Sequence, residues 1–257
     1  MNGEVEIRIA RKEELHKLAP ILEELEPDDY LPDVIQEWIE RESVFIAFVH
    51  EAAAGMSHFE HLPDGSIWLS GLRVGKSWRR TGIGGALTRF ATTMPGETVF
   101  RLMISDINIA SISVTERAGF RRRSSVSLWQ AENGANILPG FSPANVLLDE
   151  MEHIGMFGGL LPTAWLAFDP RTADKRDLER RHLSFVQDRL GSVFLLNEEA
   201  RALTPMHLEN RASLNTIPSG YILLAEGGEK LDSTGLKQTL WTKGVGIYEF
   251  RKNDYKT

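Results

Sequence analysis

One stretch, from Ile67 to Phe90 (IWLSGLRVGKSWRRTGIGGALTRF), limits what this chain can fold into. Ile67, Trp68 and Leu69, followed by Leu72 and Val74, have the length and composition of a strand covered on both faces. Ala86, Leu87 and Phe90 recur at helical spacing, so Gly82, Gly84 and Gly85 fall where a helix begins. Glycines at that place let an anion approach the backbone. The first N–H groups of a helix lack intrahelical partners and carry partial positive charge. Arg79 and Arg80 add planar cationic donors suited to phosphate oxygens. Residues Arg79, Arg80, Thr81, Gly82, Ile83, Gly84, Gly85 and Ala86 therefore describe a pyrophosphate cradle, set against the plainer alternative of a glycine turn with incidental arginines. The cradle is not a P-loop, because no Gly-Lys-Ser/Thr follows the required spacer, and it does not fit G-x-G-x-x-G.

The pattern of the remaining chain is that of an ordinary globular protein, with 257 residues in one large or two small domains. A net charge of −7 argues against a general nucleic-acid binder, and no nucleic-acid partner is expected. No apolar run reaches the roughly 18 residues of a membrane span, and the acidic start lacks the positive region of a signal peptide. Cysteine is absent, which excludes disulfides, thiolate metal sites and thiol nucleophiles and makes a cytoplasmic location the default expectation.

Residues 4–10 alternate like a half-exposed strand. Leu15, Leu18, Ile21, Leu22 and Leu25 predict one helix ending near Pro27. Asp33 is the expected cap of a second helix carrying Val34, Trp38 and Ile39 inward. Residues 43–50 and 55–62 read as strands joined by a turn at 51–54, and Pro63-Asp-Gly leads into the strand at 67. After the helix of the cradle, Pro95-Gly96 breaks the chain, 98–105 reads as a strand, and 108–120 as a helix ending in Gly119-Phe120.

Arg79, Gly82 and Gly84 fill the pattern Arg/Gln-x-x-Gly-x-Gly/Ala, and Asn108, Ser111, Val114, Arg117, Gly119 and Phe120 stand in register with Asn-x-x-Ala-x-x-Leu-Tyr-x-Lys-x-Gly-Phe. The two patterns, in this order, resemble the Gcn5-related N-acetyltransferase (GNAT) superfamily. The resemblance implies an α/β (α+β) fold, a mixed central sheet flanked by helices, and acetyl-CoA as cosubstrate. It further implies that Leu72, Arg73 and Val74 meet the pantetheine arm, with Asn108, Ser111 and Arg117 as further cofactor residues. Asp29-Tyr-Leu-Pro, a tryptophan soon after, Gly71-Leu-Arg-Val and an added carboxy-terminal half resemble the vertebrate histidine N-acetyltransferase branch. That implies a small amino-acid-like amine as partner, with Asp29, Tyr30 and Trp38 (and Asp28) as acceptor-site candidates; their alternative is an acidic turn followed by a packing tryptophan. Two departures stand out. The tyrosine with which many relatives protonate the leaving thiolate is Thr115 here, and Ser70 and Gly71 occupy the strand position of a common carboxylate.

A GNAT domain is expected over 1–132 and an α/β domain over 145–257. The latter reads either as a degenerate copy of the first or as an unrelated packing domain. In it, 147–157, 176–190 and 233–243 read as helices, and 193–196, 220–225 and 246–251 as strands. Arg121-Arg-Arg reads as a solvated turn or as an approach to the 3′-phosphate of CoA. Acetyl transfer needs a neutral amine, hence a general base. His58 and Glu60, two apart on one strand face, are the candidates: histidine titrates near neutrality unperturbed, whereas Glu60 needs its pKa raised by burial. No His/Asp/Glu cluster shows metal-ligand spacing, so no metal is expected. An acyl-CoA-binding sensor and a protein amino-terminal or lysine acetyltransferase are the alternatives, and the assembly state is left between monomer and homodimer.

Overall fold

The structure is a computed structural model that describes residues 4–131, 141–144, 146, 156–209, 213–214, 217, 221–227, 231, 236–238 and 244–252. Strand β1 (Val5–Ile9) is followed by a 3-10 segment over Lys12–Leu18 and a single α-helical turn, α1 (Ala19–Leu22). The one long helix expected here is thus divided. Pro20, which lacks an N–H, stands in the first turn of α1 and lets the helical ladder restart there. Helix α2 (Leu31–Glu40) begins at Tyr30 rather than behind Asp33, because the Asp29 carboxylate accepts the Leu31 N–H at 3.0 Å.

Strands β2 (Val44–Val49), β3 (Ala52–His61) and β4 (Ile67–Val74) form an antiparallel meander. The β2–β3 turn is shorter than expected, with left-handed His50 and Glu51 at its tip, the conformation of a type I′ hairpin. Then come α3 (Ile83–Ala91), β5 (Val99–Ser105), α4 (Ile109–Arg117) and β6 (Arg121–Ala131). The arginine triplet opens β6 instead of making a turn. Arg122 pairs with Asp106 at 2.9 Å, and Arg123 reaches Glu249 at 3.6 Å.

The second half contributes β7 (Ser142–Pro143), β8 (Leu161–Thr163), β9 (Leu166–Phe168), α5 (Lys175–Arg180), β10 (Leu183–Gln187), β11 (Val193–Asn197), β12 (Ala202–His207), β13 (Ile222–Glu226), β14 (Leu236–Gln238) and β15 (Val245–Arg251). The helix expected over 176–190 stops after one and a half turns. His182 is left-handed (φ 53°), and Leu183–Gln187 pairs with β11 as a strand. The expected helix at 147–157 lies outside the described residues up to 155, and Phe157 sits in a 3-10 turn with φ 54°. Within the expected helix 233–243, residues 236–238 form a strand on β6; the others, like the linker at 132–140, lie outside the described residues.

Among the described residues, thirteen strands make one mixed sheet in the order β1, β2, β3, β4, β5, β15, β6, β13, β12, β11, β10, β7, with β14 also on β6. Helices flank it, as the sequence predicts. The last strand of the chain therefore lies inside the first half's sheet: β15 pairs antiparallel with β5 on one side and β6 on the other. Alternation along β4 sends Ile67 and Leu69 into a core with Phe45, Leu87 and Phe100 under α3. It sends Trp68 into a core shared with Leu128, Phe157 and Phe168 of the second half. A third cluster packs Leu31, Ile35 and Ile39 of α2 on Val44, Ile46 and Met56.

Candidate active site

Strands β4 and β5 run parallel but pair only at Ile67 with Phe100 and Trp68 with Arg101. Beyond Trp68 they part, which leaves the β5-facing edge of residues 69–74 open in the middle of the sheet. Helices α3 and α4 stand at the mouth of this split. Gly82 caps α3 in the left-handed region (φ 96°), a conformation that strongly favours glycine. The first intrahelical bond is donated by Ala86 to Gly82 at 2.9 Å, so the N–H groups of Ile83, Gly84 and Gly85 precede the ladder. A Cβ on Gly84 would lie 3.6 to 3.8 Å from Val74, Leu72 and Val114, that is, inside the gap between β4 and α4. Arg79, Arg80 and Thr81 are exposed around this helix end, Arg79 bonding the Val74 carbonyl at 3.3 Å. The arrangement can seat an anionic diphosphate at the helix end with an extended chain along β4.

Asn108 caps α4, its side chain accepting the Ser111 N–H at 3.1 Å, and Arg117 bonds Ser113 one turn back. Of the expected cofactor residues, Leu72, Val74 and Gly84 meet at the gap between β4 and α4, and two others depart from the expectation. Ile83 is buried and offers only its backbone. The Arg73 side chain turns to the other face of the sheet, where its Nε and Nη2 donate to the Asp29 carboxylate at 3.0 and 2.8 Å.

That other face gathers the acceptor candidates. The rings of Trp38 and His58 stack with centroids 3.8 Å apart and planes 13° apart; Tyr30 meets Trp38 edge-on at 6.1 Å and lies over the Arg73 guanidinium at 5.6 Å. His58 Nδ1 is 2.8 Å from Ser70 Oγ across the β3–β4 pair. Gly71 has φ 61° in a bulge of β4, and a Cβ there would lie 2.7 Å from Trp38. The missing strand carboxylate thus has a packing reason: only glycine leaves room for the indole. A glycine inside a strand pattern signals a bulge, and this signal was readable in the sequence.

His58 is 5% exposed, and burial, aided by the charge of Arg41, pushes its imidazole down to about 3. The expectation that it titrates unperturbed is therefore corrected: near neutrality it is uncharged and a weak proton acceptor. In the unfolded chain it takes up a proton near pH 6.5, which the folded chain excludes down to about 3. Its contribution to stability is complete above that upper value and is lost as the pH falls through this window. A His58→Asn chain is expected to lose less melting temperature than the wild type between about pH 7 and about pH 4. Parallel slopes in thermal melts would sink this account.

Glu60, on the same face, is held by Arg181 of the second half at 2.9 Å, and Arg181 also donates to the His61 carbonyl. Arg181 is a residue that sequence reasoning missed, since nothing local marks a contact between positions so far apart. Thr115 is only 2% exposed, so its hydroxyl is withdrawn from the open cleft. Among the described residues no group of three or more His, Asp or Glu side chains could hold a metal ion. No described helix is long and apolar enough to cross a membrane.

Residues 12–120 match the family model of the Acetyltransferase (GNAT) family. No curated protein matches the sequence. The fold is similar to a candidate acetyltransferase from Thermoplasma acidophilum at 16% identity and a TM-score of 0.61, covering 96% of this chain and 99% of that one. It is also similar to a GCN5-related N-acetyltransferase from Sphaerobacter thermophilus at 12% identity and a TM-score of 0.56, covering 96% and 95%. A third likeness, to a GCN5-related N-acetyltransferase from Kribbella flavida, has 10% identity, a TM-score of 0.50 and coverage of 96% and 71%.

Proposed function

We propose that the protein, whose residues 12–120 match the GNAT family model, moves the acetyl group of acetyl-CoA directly to the amine of a small, amino-acid-like acceptor. The observation that carries this reading is the parting of β4 and β5 after Trp68. It opens a slot through the sheet, with the α3 helix end on one side and the Asp29, Tyr30, Trp38 and His58 cluster on the other. The diphosphate of the cofactor sits on the N–H groups of residues 83–85 beside Arg79 and Arg80. The pantetheine arm runs along Leu72 to Val74. Backbone N–H groups of this edge polarise the thioester carbonyl, a contribution of roughly 3 kcal/mol in comparable oxyanion sites.

A small acceptor is supported over a protein by the second half, whose Arg181 reaches the face of β3 that carries His58, at Glu60 and the His61 carbonyl. The same half also supports the reading of a degenerate copy. Its β10, β11 and β12 are an antiparallel meander followed by a parallel step to β13, as β2, β3 and β4 are followed by β5. The connection from β12 to β13, residues 208–221, holds the single glycine Gly220 and so no second cradle.

The test is release of the CoA thiol from acetyl-CoA against a panel of free amino acids, histidine included, and small amines, with calorimetric CoA binding in parallel. Turnover with one small acceptor is the expected result. CoA binding without turnover on any small amine would reject the small acceptor in favour of a protein substrate or a sensor.

A further inference from the structure

We propose that the outer edge of β1 joins a second copy of this chain, strand to antiparallel strand, so that the sheet continues through a two-fold axis at Ile7. Strand β1 ends the order of the sheet, and among the described residues no strand pairs with its outer edge. The Ala10 N–H bonds the Val44 carbonyl at 2.8 Å, so alternation turns the backbone groups of Glu6 and Arg8 toward β2 as well. Those of Val5, Ile7 and Ile9 therefore point outward. Sheet edges are commonly guarded by proline, bulges or lysine. The β1–β2 register runs unbroken from Val5 to Ile9, and β1 holds neither proline nor lysine.

The edge is complementary to itself. In an antiparallel pair centred on Ile7, Val5 stands opposite Ile9 of the second copy, and Ile7 opposite its own equivalent. These are the residues with outward N–H and C=O groups, and such facing pairs exchange both bonds. Val5 and Ile9 are 40% and 44% exposed, although they flank Ile7 on the face that packs on the core under α3, and the pairing lays each against the other. On the opposite face Glu6 stands against Arg8 of the second copy, and Arg8 against its Glu6. Within one chain Arg8 already touches Glu6 at 3.0 Å and is held by Glu14 at 2.6 Å, so the cation is fixed beside the edge. Charge also selects the register. A slip of two residues either way sets Glu6 opposite Glu6 or Arg8 opposite Arg8, and like charges on directly facing positions are unfavourable.

The experiment reads assembly of the full chain by sedimentation velocity over a concentration series, with amide hydrogen exchange on the same samples. The wild type is expected to reach twice the mass of one chain below about 100 μM. The amides of Val5, Ile7 and Ile9 are expected to gain protection as the concentration rises, while β2 protects those of Glu6 and Arg8 throughout. Val5→Glu with Ile9→Glu sets carboxylate against carboxylate in both outer pairs and is expected to raise the dissociation constant by at least about 10-fold. Val5→Glu with Ile9→Lys sets opposite charges there and is expected to return it to within about 3-fold of the wild type. A wild type that stays monomeric at about 100 μM overturns the proposal. So does exchange at residues 5, 7 and 9 that ignores concentration, or a double-glutamate variant that dimerises as tightly as the mixed pair. Equal loss in both variants, with thermal melts like that of the wild type, overturns the register and the proposal with it.

Discussion

Ending the chain at residue 244 is expected to abolish the folded first half, although the residues removed lie farthest from it in sequence. All seven residues of β15 pair with β5, and five pair with β6, so the deletion separates two strands that have no other partner at that edge. Val245, Ile247 and Tyr248 are all at 1% exposure or less, and their loss opens the cores on both faces. Emptying a site of that size costs about 2–5 kcal/mol per large side chain. The deletion also removes Glu249, whose carboxylate accepts from Arg101 Nε at 2.8 Å with both side chains 3% exposed. Arg101 then keeps only Asp64 and Ser66, and breaking a buried pair by removing one partner costs roughly 3–5 kcal/mol. Together these terms are about as large as the whole stability of a typical domain, roughly 5–15 kcal/mol. The measurement is circular dichroism with thermal melting of residues 1–244 beside the full chain. A cooperative melt within a few degrees of the full chain would show that β15 is an accessory strand, contrary to its place in the sheet.

The second large effect is specific to the cofactor. Gly84→Asp is expected to lower CoA affinity by at least about 100-fold while leaving the fold intact. The Cβ finds ordinary contact distances at Val74, Leu72 and Val114, and a carboxylate in the first turn of a helix is favourable to the helix itself. The same carboxylate occupies the gap between β4 and α4 and sets a negative charge beside the N–H groups meant for the diphosphate. Two like charges at about 4 Å repel by roughly 4 kcal/mol near a protein surface. Calorimetry with CoA decides the matter, with Gly84→Ala as the neutral comparison. Affinity unchanged in the aspartate variant would remove the cradle from this helix end.

The glycine-rich helix start was legible because its determinants are local. The need for glycine at position 82, the free N–H groups of a helix start and the arginines before them all follow from a dozen neighbouring residues. The meander of β2, β3 and β4 was legible for the same reason, since alternation and turn residues act over short range. The cluster on the other face was legible as a list, with Asp29, Tyr30 and Trp38 as acceptor candidates and His58 as a candidate base, but not as chemistry. Its burial removes the ordinary titration of His58, and the indole from α2 that fills the space at Gly71 is a contact that no local pattern records.

The sequence by itself determined that this chain has a strand, a glycine-rich helix start and a second helix in this order, because each signal is a short-range preference of backbone and side chain. The tertiary structure alone decided which distant residues meet across the sheet. Arg101 meets Glu249, Arg181 meets Glu60, and residues 183–187 become a strand, because those choices depend on which partners lie opposite across the folded sheet. Such pairing is a property of chains brought together in space, and local periodicity carries no record of it.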